Sequence, residues 1–122
     1  MSDDVPTSLV ILPLEGEPYI LDGDKSYKTL RSIVGGNIEC VDPTAMRIMS
    51  FGSKRWAAAN ALLVVATNVW VNGEGVFVCS PNMLTLNKFN NQPFFGRIAI
   101  EVPNEHLTQA MKELLTTKAL GK

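Results

Sequence analysis

Two cysteines, one histidine and 12 carboxylates are the material for acid, base or nucleophilic chemistry in this 122-residue sequence. His106 is the only histidine, which excludes a histidine-rich metal site and any mechanism that needs two imidazoles. Placed in the first turn of the last helix, where the helix field disfavours an imidazolium, it is expected to be solvated or locally packed rather than catalytic. A nucleophilic thiol must be exposed and of low pKa, with a base at hand. Cys40 and Cys79 both fall in apolar runs of strand character, so each is expected to be a buried, unreactive thiol rather than half of a disulfide. The acidic residues Asp22, Asp24, Glu39, Asp42, Glu74, Glu101 and Glu105 are scattered, with no spacing that requires a carboxylate pair or a cation cage. The pattern calls for no catalytic set, metal or cofactor.

Two clusters suit binding instead. Lys54-Arg55-Trp56 joins two cations to an aromatic ring, a combination that can hold a nucleotide, RNA or an acidic partner by charge and stacking. The same tripeptide also reads as an exposed helix start with the tryptophan packed inward. Asn72-Gly73-Glu74-Gly75 has a glycine-rich look but lacks the GxGxxG spacing, and no P-loop Lys-Ser or Lys-Thr follows. Asn-Gly favours a type I′ turn with positive φ. The exposed carboxylate of Glu74 near the Pro81-Asn82 corner makes Asn72, Glu74 and Asn82 the second set of candidate ligand- or partner-binding residues.

The elements that must position these groups follow from periodicity. Leu9 to Leu12 reads as a strand buried on both faces, and Tyr19-Ile20-Leu21 as its hairpin return. Asp24 or Ser26 can cap a short helix carrying Tyr27, Leu30, Ile33 and Val34 on one face, stopped by Gly35-Gly36. Ile38 to Cys40 alternates as a strand; Met46, Ile48 and Phe51 are compatible with another. Ser53 can cap an alanine-rich helix from Lys54 to about Leu62. Val64 to Val71 and Val76 to Cys79 read as a hairpin about Asn72-Gly73, ended by Ser80-Pro81-Asn82. Met83 to Asn90 suggests a helical turn, and Phe94 to Val102 a strand. Asn104 can cap a final helix whose stripe is Leu107, Ala110, Met111, Leu114 and Leu115. The predicted architecture is α+β: a small, mainly antiparallel sheet, with a short helix in the N-terminal half and a C-terminal amphipathic helix packed on it. One domain is expected over residues 8–118, with a flexible terminus at 1–7 and a tail at 119–122.

Hydrophobic residues make up 46% and charged residues 19%, a globular composition. The 11 basic and 12 acidic residues nearly cancel, so the broad positive field of a nucleic-acid binder is missing. Met1-Ser2-Asp3-Asp4 does not read as a signal peptide, and the longest nearly apolar stretch, Trp56 to Ala66, is too short to span a bilayer. A cytoplasmic location is expected.

Leu30-Arg31-Ser32-Ile33-Val34-Gly35-Gly36-Asn37-Ile38-Glu39-Cys40-Val41, then Val69 to Gly75 and Pro81-Asn82, resemble the family known as domain of unknown function 3846, small proteins of phages, large DNA viruses and some bacteria. The family pattern is a short helix ending in Val-Gly-Gly, a strand with Ile-Glu, a turn like Asn-Glu-Glu-Gly, a Pro-Asn pair and a later strand with an internal glycine, here Gly96. The resemblance runs over most of residues 9–118. Gly73 stands where the family usually has an acidic residue, and residues 44–68 form a longer connection than usual. The family carries no established reaction. The resemblance implies a non-enzymatic viral or phage accessory protein, acting inside an infected host cell on a host protein or small ligand. A small enzyme acting on a nucleotide or nucleotide-derived signal, and a nucleic-acid-binding module using Lys54, Arg55 and Trp56, are the alternatives. Self-association is left open.

Overall fold

Leu9-Val10-Ile11-Leu12 is apolar without a break because both of its faces are covered. The computed structural model describes residues 6–22, 26–49 and 53–119. Its strands are β1 (Thr7–Leu12), β2 (Tyr19–Asp22), β3 (Ile38–Val41), β4 (Met46–Ile48), β5 (Asn68–Asn72), β6 (Pro81–Asn87), β7 (Gln92–Phe95), β8 (Ile98–Pro103) and β9 (Thr117–Ala119). The helices are α1 (Tyr27–Val34), α2 (Lys54–Val65), α3 (Gly75–Val78) and α4 (Gln109–Leu115), with 3-10 turns at Pro43–Ala45 and Asn104–His106. One sheet has the order β3-β5-β8-β1-β2-β9, antiparallel except where β9 runs parallel to β2; β4, β6 and β7 make a second, antiparallel sheet.

Alternation along the central pair sends Leu9, Ile11 and Ala99 to the face that α1 covers. Val10, Leu12, Ile98, Ile100 and Val102 go to the face covered by α2, α4 and the small sheet. None of these eight side chains is more than 2% exposed, and burying a large aliphatic side chain contributes about 1.5–3 kcal/mol. The α+β class and the mainly antiparallel sheet are as expected. β1 begins at Thr7 and β9 runs to Ala119, one residue outside each expected boundary.

Local capping chemistry is where the sequence places it. The Ser26 hydroxyl accepts from the Thr29 N–H at 3.2 Å, and Gly35, at φ +85°, closes α1 with its N–H on the Arg31 carbonyl. Leu30, Ile33 and Val34 are buried beneath α1, whereas Tyr27 stays exposed with the Arg31 guanidinium 5.7 Å from its ring centroid. Ser53 caps α2 by accepting from the Trp56 N–H. Asp24 and Phe51 lie outside the described residues.

α2 runs on to Val65, past the expected end near Leu62, so Val64 and Val65 are helical rather than extended. Three further expectations fail, each because a distant segment takes the place of a local one. The hairpin about Asn72-Gly73 does not form: β3 and β8 occupy both edges of β5, from Ile38↔Asn72 to Val41↔Val69 on one side and Asn68↔Glu101 to Trp70↔Ala99 on the other. With no edge left, Val76 to Val78 winds into the one-turn helix α3 instead. Neither Gly73 nor Gly75 has positive φ. Second, Met83 to Asn87 belongs to strand β6, not to a helical turn, and Pro81 opens that strand rather than ending one, a position where its missing N–H costs no ladder bond. The register of β6 on β7 shifts between Asn82 and Asn87; there the Thr85 hydroxyl donates to the Asn82 carbonyl and accepts from the Phe94 N–H. Third, Asn104 does not cap the last helix. Its side chain accepts from the Ser8 hydroxyl, residues 104–106 form a 3-10 turn, and α4 starts at Gln109 with Thr108 as its cap.

α4 packs against α2 and β2 through Leu115, which is 0% exposed, with Met111 and Leu114 half-buried and Leu107 buried ahead of it. Ala110 faces solvent. Leu115→Ala is therefore expected to cost about 2–5 kcal/mol, and Leu114→Ala clearly less; urea unfolding of the two variants checks the order, and equal losses would contradict this docking of α4.

Candidate functional site

The structure divides the residues singled out for binding between two regions. Trp56 is 4% exposed and its indole N–H donates to the Gly16 carbonyl at 3.2 Å, so its ring faces the core and offers no stacking surface. Arg55 is half-buried; its Nε donates to the Leu114 carbonyl at 2.7 Å, tying the start of α2 to the last turn of α4, where a cation is favoured. Only Lys54 is exposed to solvent. The inward-packed reading of this tripeptide is the one observed.

Asn72 and Glu74 meet at the start of α3, whereas Asn82 lies on β6. Asn72 is 6% exposed: its Nδ2 donates to the Val34 carbonyl at 3.2 Å and lies 3.6 Å from Cys79 Sγ, and its Oδ1 accepts from the Glu74 N–H at 2.8 Å. Asn82 is 1% exposed and donates to the carbonyls of both Leu12 and Gly96, each at 3.1 Å. Both amides are thus structural, and an unmade bond to either buried carbonyl would cost about 1–3 kcal/mol. Between them, Gly75 is buried against β7: a Cβ placed on it would stand 2.9 Å from the Phe95 carbonyl oxygen. Gly73 has ordinary room, with Glu39 Cβ at 3.6 Å as its nearest neighbour. Glu74 is exposed at the N-terminal end of the turn, and its side chain makes no capping bond.

The Asn72 bond to the Glu74 N–H and the Gly75 contact clamp α3 with three apolar side chains in water. Val76, Phe77 and Val78 are 58%, 85% and 66% exposed. Beside them a cleft of about 300 Å³ opens between the β3–β5 end of the large sheet and the β6–β7 hairpin. Val71, Val76 and Phe94 form apolar walls, and Glu39 is the one ionisable side chain in the lining. Asn87 and Asn90 use their side-chain oxygens on the N–H groups of Phe89 and Gln92. Their Nδ2 donors bond no other described residue. Phe89, in the same hairpin turn, is 85% exposed, and Met83 on β6 is 70% exposed.

Neither thiol is the core residue that the sequence suggests. Cys40 is exposed, because β3 is an edge strand, and its thiol donates to Asn68 Oδ1 at 3.3 Å. Asn68 in turn donates to Glu101, which also accepts from the Trp70 indole and the Thr7 hydroxyl. That polar row on the sheet joins residues from four strands and has no signature in the local sequence. Cys79 is half-buried at the end of α3, its sulfur against Gly96. His106 lies in the 3-10 turn, exposed, with Nε2 3.6 Å from Glu105 Oε2. Among the described residues no three His, Cys, Asp or Glu side chains converge as metal ligands would, and no helix is long and apolar enough to cross a membrane.

No family model, no curated protein and no solved structure matches this chain.

The packing about α3 replaces backbone strain with steric contact as the reason for its glycine. Gly75→Ala should lose about 1–3 kcal/mol through overpacking against Phe95, while Gly73→Ala stays within about 0.5 kcal/mol; thermal melts that rank them the other way would disprove the clamp. For the thiols, iodoacetamide should modify Cys40 in the native protein well before Cys79, as mass spectrometry of the intact chain can follow. Protection of Cys40 until denaturant is added would return it to the core.

Proposed function

We propose that this protein is a non-enzymatic binding module that receives an extended segment of a partner polypeptide along α3 and in the adjoining cleft. One observation carries the reading: a one-turn helix is clamped by the buried Asn72 amide at its start and a close glycine contact, and the side chains it presents, Val76, Phe77 and Val78, are all largely exposed. Leaving such side chains in water forgoes about 1.5–3 kcal/mol apiece, and contiguous exposed apolar surface of this kind marks interaction sites. The cleft suits a polypeptide in particular. The Nδ2 groups of Asn87 and Asn90 can bond backbone carbonyls, the apolar walls accept a side chain, and Glu39 favours a basic residue. The likeness of residues 30–41, 69–75 and 81–82 to small phage and viral proteins makes a host protein the partner within this proposal.

Random-peptide phage display on the immobilised chain tests it, followed by fluorescence-polarisation titration of an enriched peptide. The expected result is an apolar peptide carrying at least one Lys or Arg, which Phe77→Ser weakens roughly tenfold or more and Glu39→Gln weakens while reducing its salt dependence. Both side chains are exposed, so unchanged melting temperatures should accompany the loss. Enrichment of no sequence above background, or equal affinity for Phe77→Ser, would refute the reading.

A further inference from the structure

A second cleft, of about 390 Å³, lies between the C-terminal half of α2, the 3-10 turn Pro43–Ala45 and the residue that follows β6. Small-molecule sites begin at roughly 300 Å³. This cleft shares no lining residue with the one beside α3. Its floor is apolar: Met46 and Leu63 are buried, and Val64 stands in its wall at 84% exposure.

Its rim is basic. Arg47 comes from β4 and Lys88 from just beyond β6, and the ladder makes them diagonal neighbours: Arg47 pairs with Leu86, two residues before Lys88, and the Lys88 N–H donates to the Ala45 carbonyl at 2.9 Å. Among the described residues the one basic side chain within 4.0 Å of a carboxylate is His106, beside Glu105. No described carboxylate therefore neutralises Arg47 or Lys88. Asp42, the single carboxylate of the lining, is engaged locally: its Oδ1 accepts from the Thr44 N–H at 2.9 Å and the Thr44 hydroxyl at 2.8 Å. Those bonds, the backbone one first, hold its carboxyl below the usual range. Two cations against one carboxylate leave the cleft net positive in a protein whose formal net charge is −1. Asn60 adds an amide that bonds no other described residue.

We propose that this cleft binds a small organic anion with an apolar body, its carboxylate or phosphate head between Arg47 and Lys88 and its body along Met46, Leu63 and Val64. Two unpaired cations raise the potential where the head would sit, and they need break no ion pair to receive it. The apolar floor explains why a bare inorganic anion is the poorer ligand. The site stands apart from the α3 reading and does not depend on it.

The test titrates octanoate, octyl phosphate and neutral 1-octanol into the isotope-labelled full chain, followed by amide chemical shifts. Saturable shifts at residues 44–47, 60–66 and 88 with at least one anion, and at least roughly tenfold weaker binding of 1-octanol, are expected; the tighter anion identifies the preferred head group. The double variant Arg47→Gln/Lys88→Gln should bind roughly tenfold or more weakly at an unchanged melting temperature, whereas Lys28→Gln/Lys112→Gln, which removes the same charge elsewhere, should bind as the parent does. Added salt should weaken the parent's binding, a readout that needs no variant. The absence of saturable shifts with both anions, shifts confined to other residues, or undiminished affinity in the Arg47/Lys88 variant would overturn the proposal.

Discussion

Burial of β1 and β8 on both faces is the condition that the remaining structure satisfies. A run of consecutive apolar side chains cannot lie on a surface, so Leu9 to Leu12 and Ile98 to Ile100 at the centre of a sheet demand cover above and below. On one side α1 is enough, because Leu30, Ile33 and Val34 meet Leu9, Ile11 and Ala99. The other side is wider and takes α2, α4 and the small sheet together. Backbone groups at the margins are then met by side chains: Asn82 bonds the Leu12 and Gly96 carbonyls, the Trp56 indole bonds Gly16, and Arg55 bonds Leu114. These polar ties bind the covering layer to itself, to the sheet and to the loop after β1, and losing those of Asn82 or Arg55 would leave a buried or half-buried acceptor unpaired.

The surfaces available for function belong to the segments that close this cover, not to the strands at its centre. α3 lies where the chain leaves β5 with no edge to pair with, and the basic cleft lies where the small sheet meets the end of α2. A rigid centre allows such margins to hold shapes that are costly in isolation, including a one-turn helix with three apolar side chains turned outward. The same division accounts for the tryptophans and cysteines. Trp56 serves the core although it follows two cations, and Cys40 reaches solvent although it sits in an apolar run, because neighbouring layers rather than neighbouring residues decide exposure.

Much of the fold was legible at short range. Ser26 with Gly35-Gly36, Ser53 before the alanine-rich run, and the uninterrupted Leu9 to Leu12 each carry their structure in contacts within a few residues, and each forms as read, save that α2 runs on to Val65. The candidate site was less legible. Asn72 and Glu74 meet at the start of α3 while Asn82 ties Leu12 and Gly96, and the two amides act as buried ties; the exposed Phe77 and the pair Arg47 and Lys88 carry no motif that would have marked them. The row from Cys40 through Asn68 to Glu101 is equally silent, since its members meet only across three paired strands.

Alternation and capping by themselves determined which segments are helical at the start of the chain, that the sheet is mainly antiparallel, and that a C-terminal amphipathic helix packs on it. Tertiary structure alone decided the partners of β5, and with them the fate of residues 72–79. Asn-Gly between two apolar runs favours a hairpin by about the energy of one turn, whereas placing β5 between β3 and β8 buries Val69 and Val71 and satisfies both of its edges. The larger, non-local gain prevails, and the segment released from pairing becomes the exposed turn of α3.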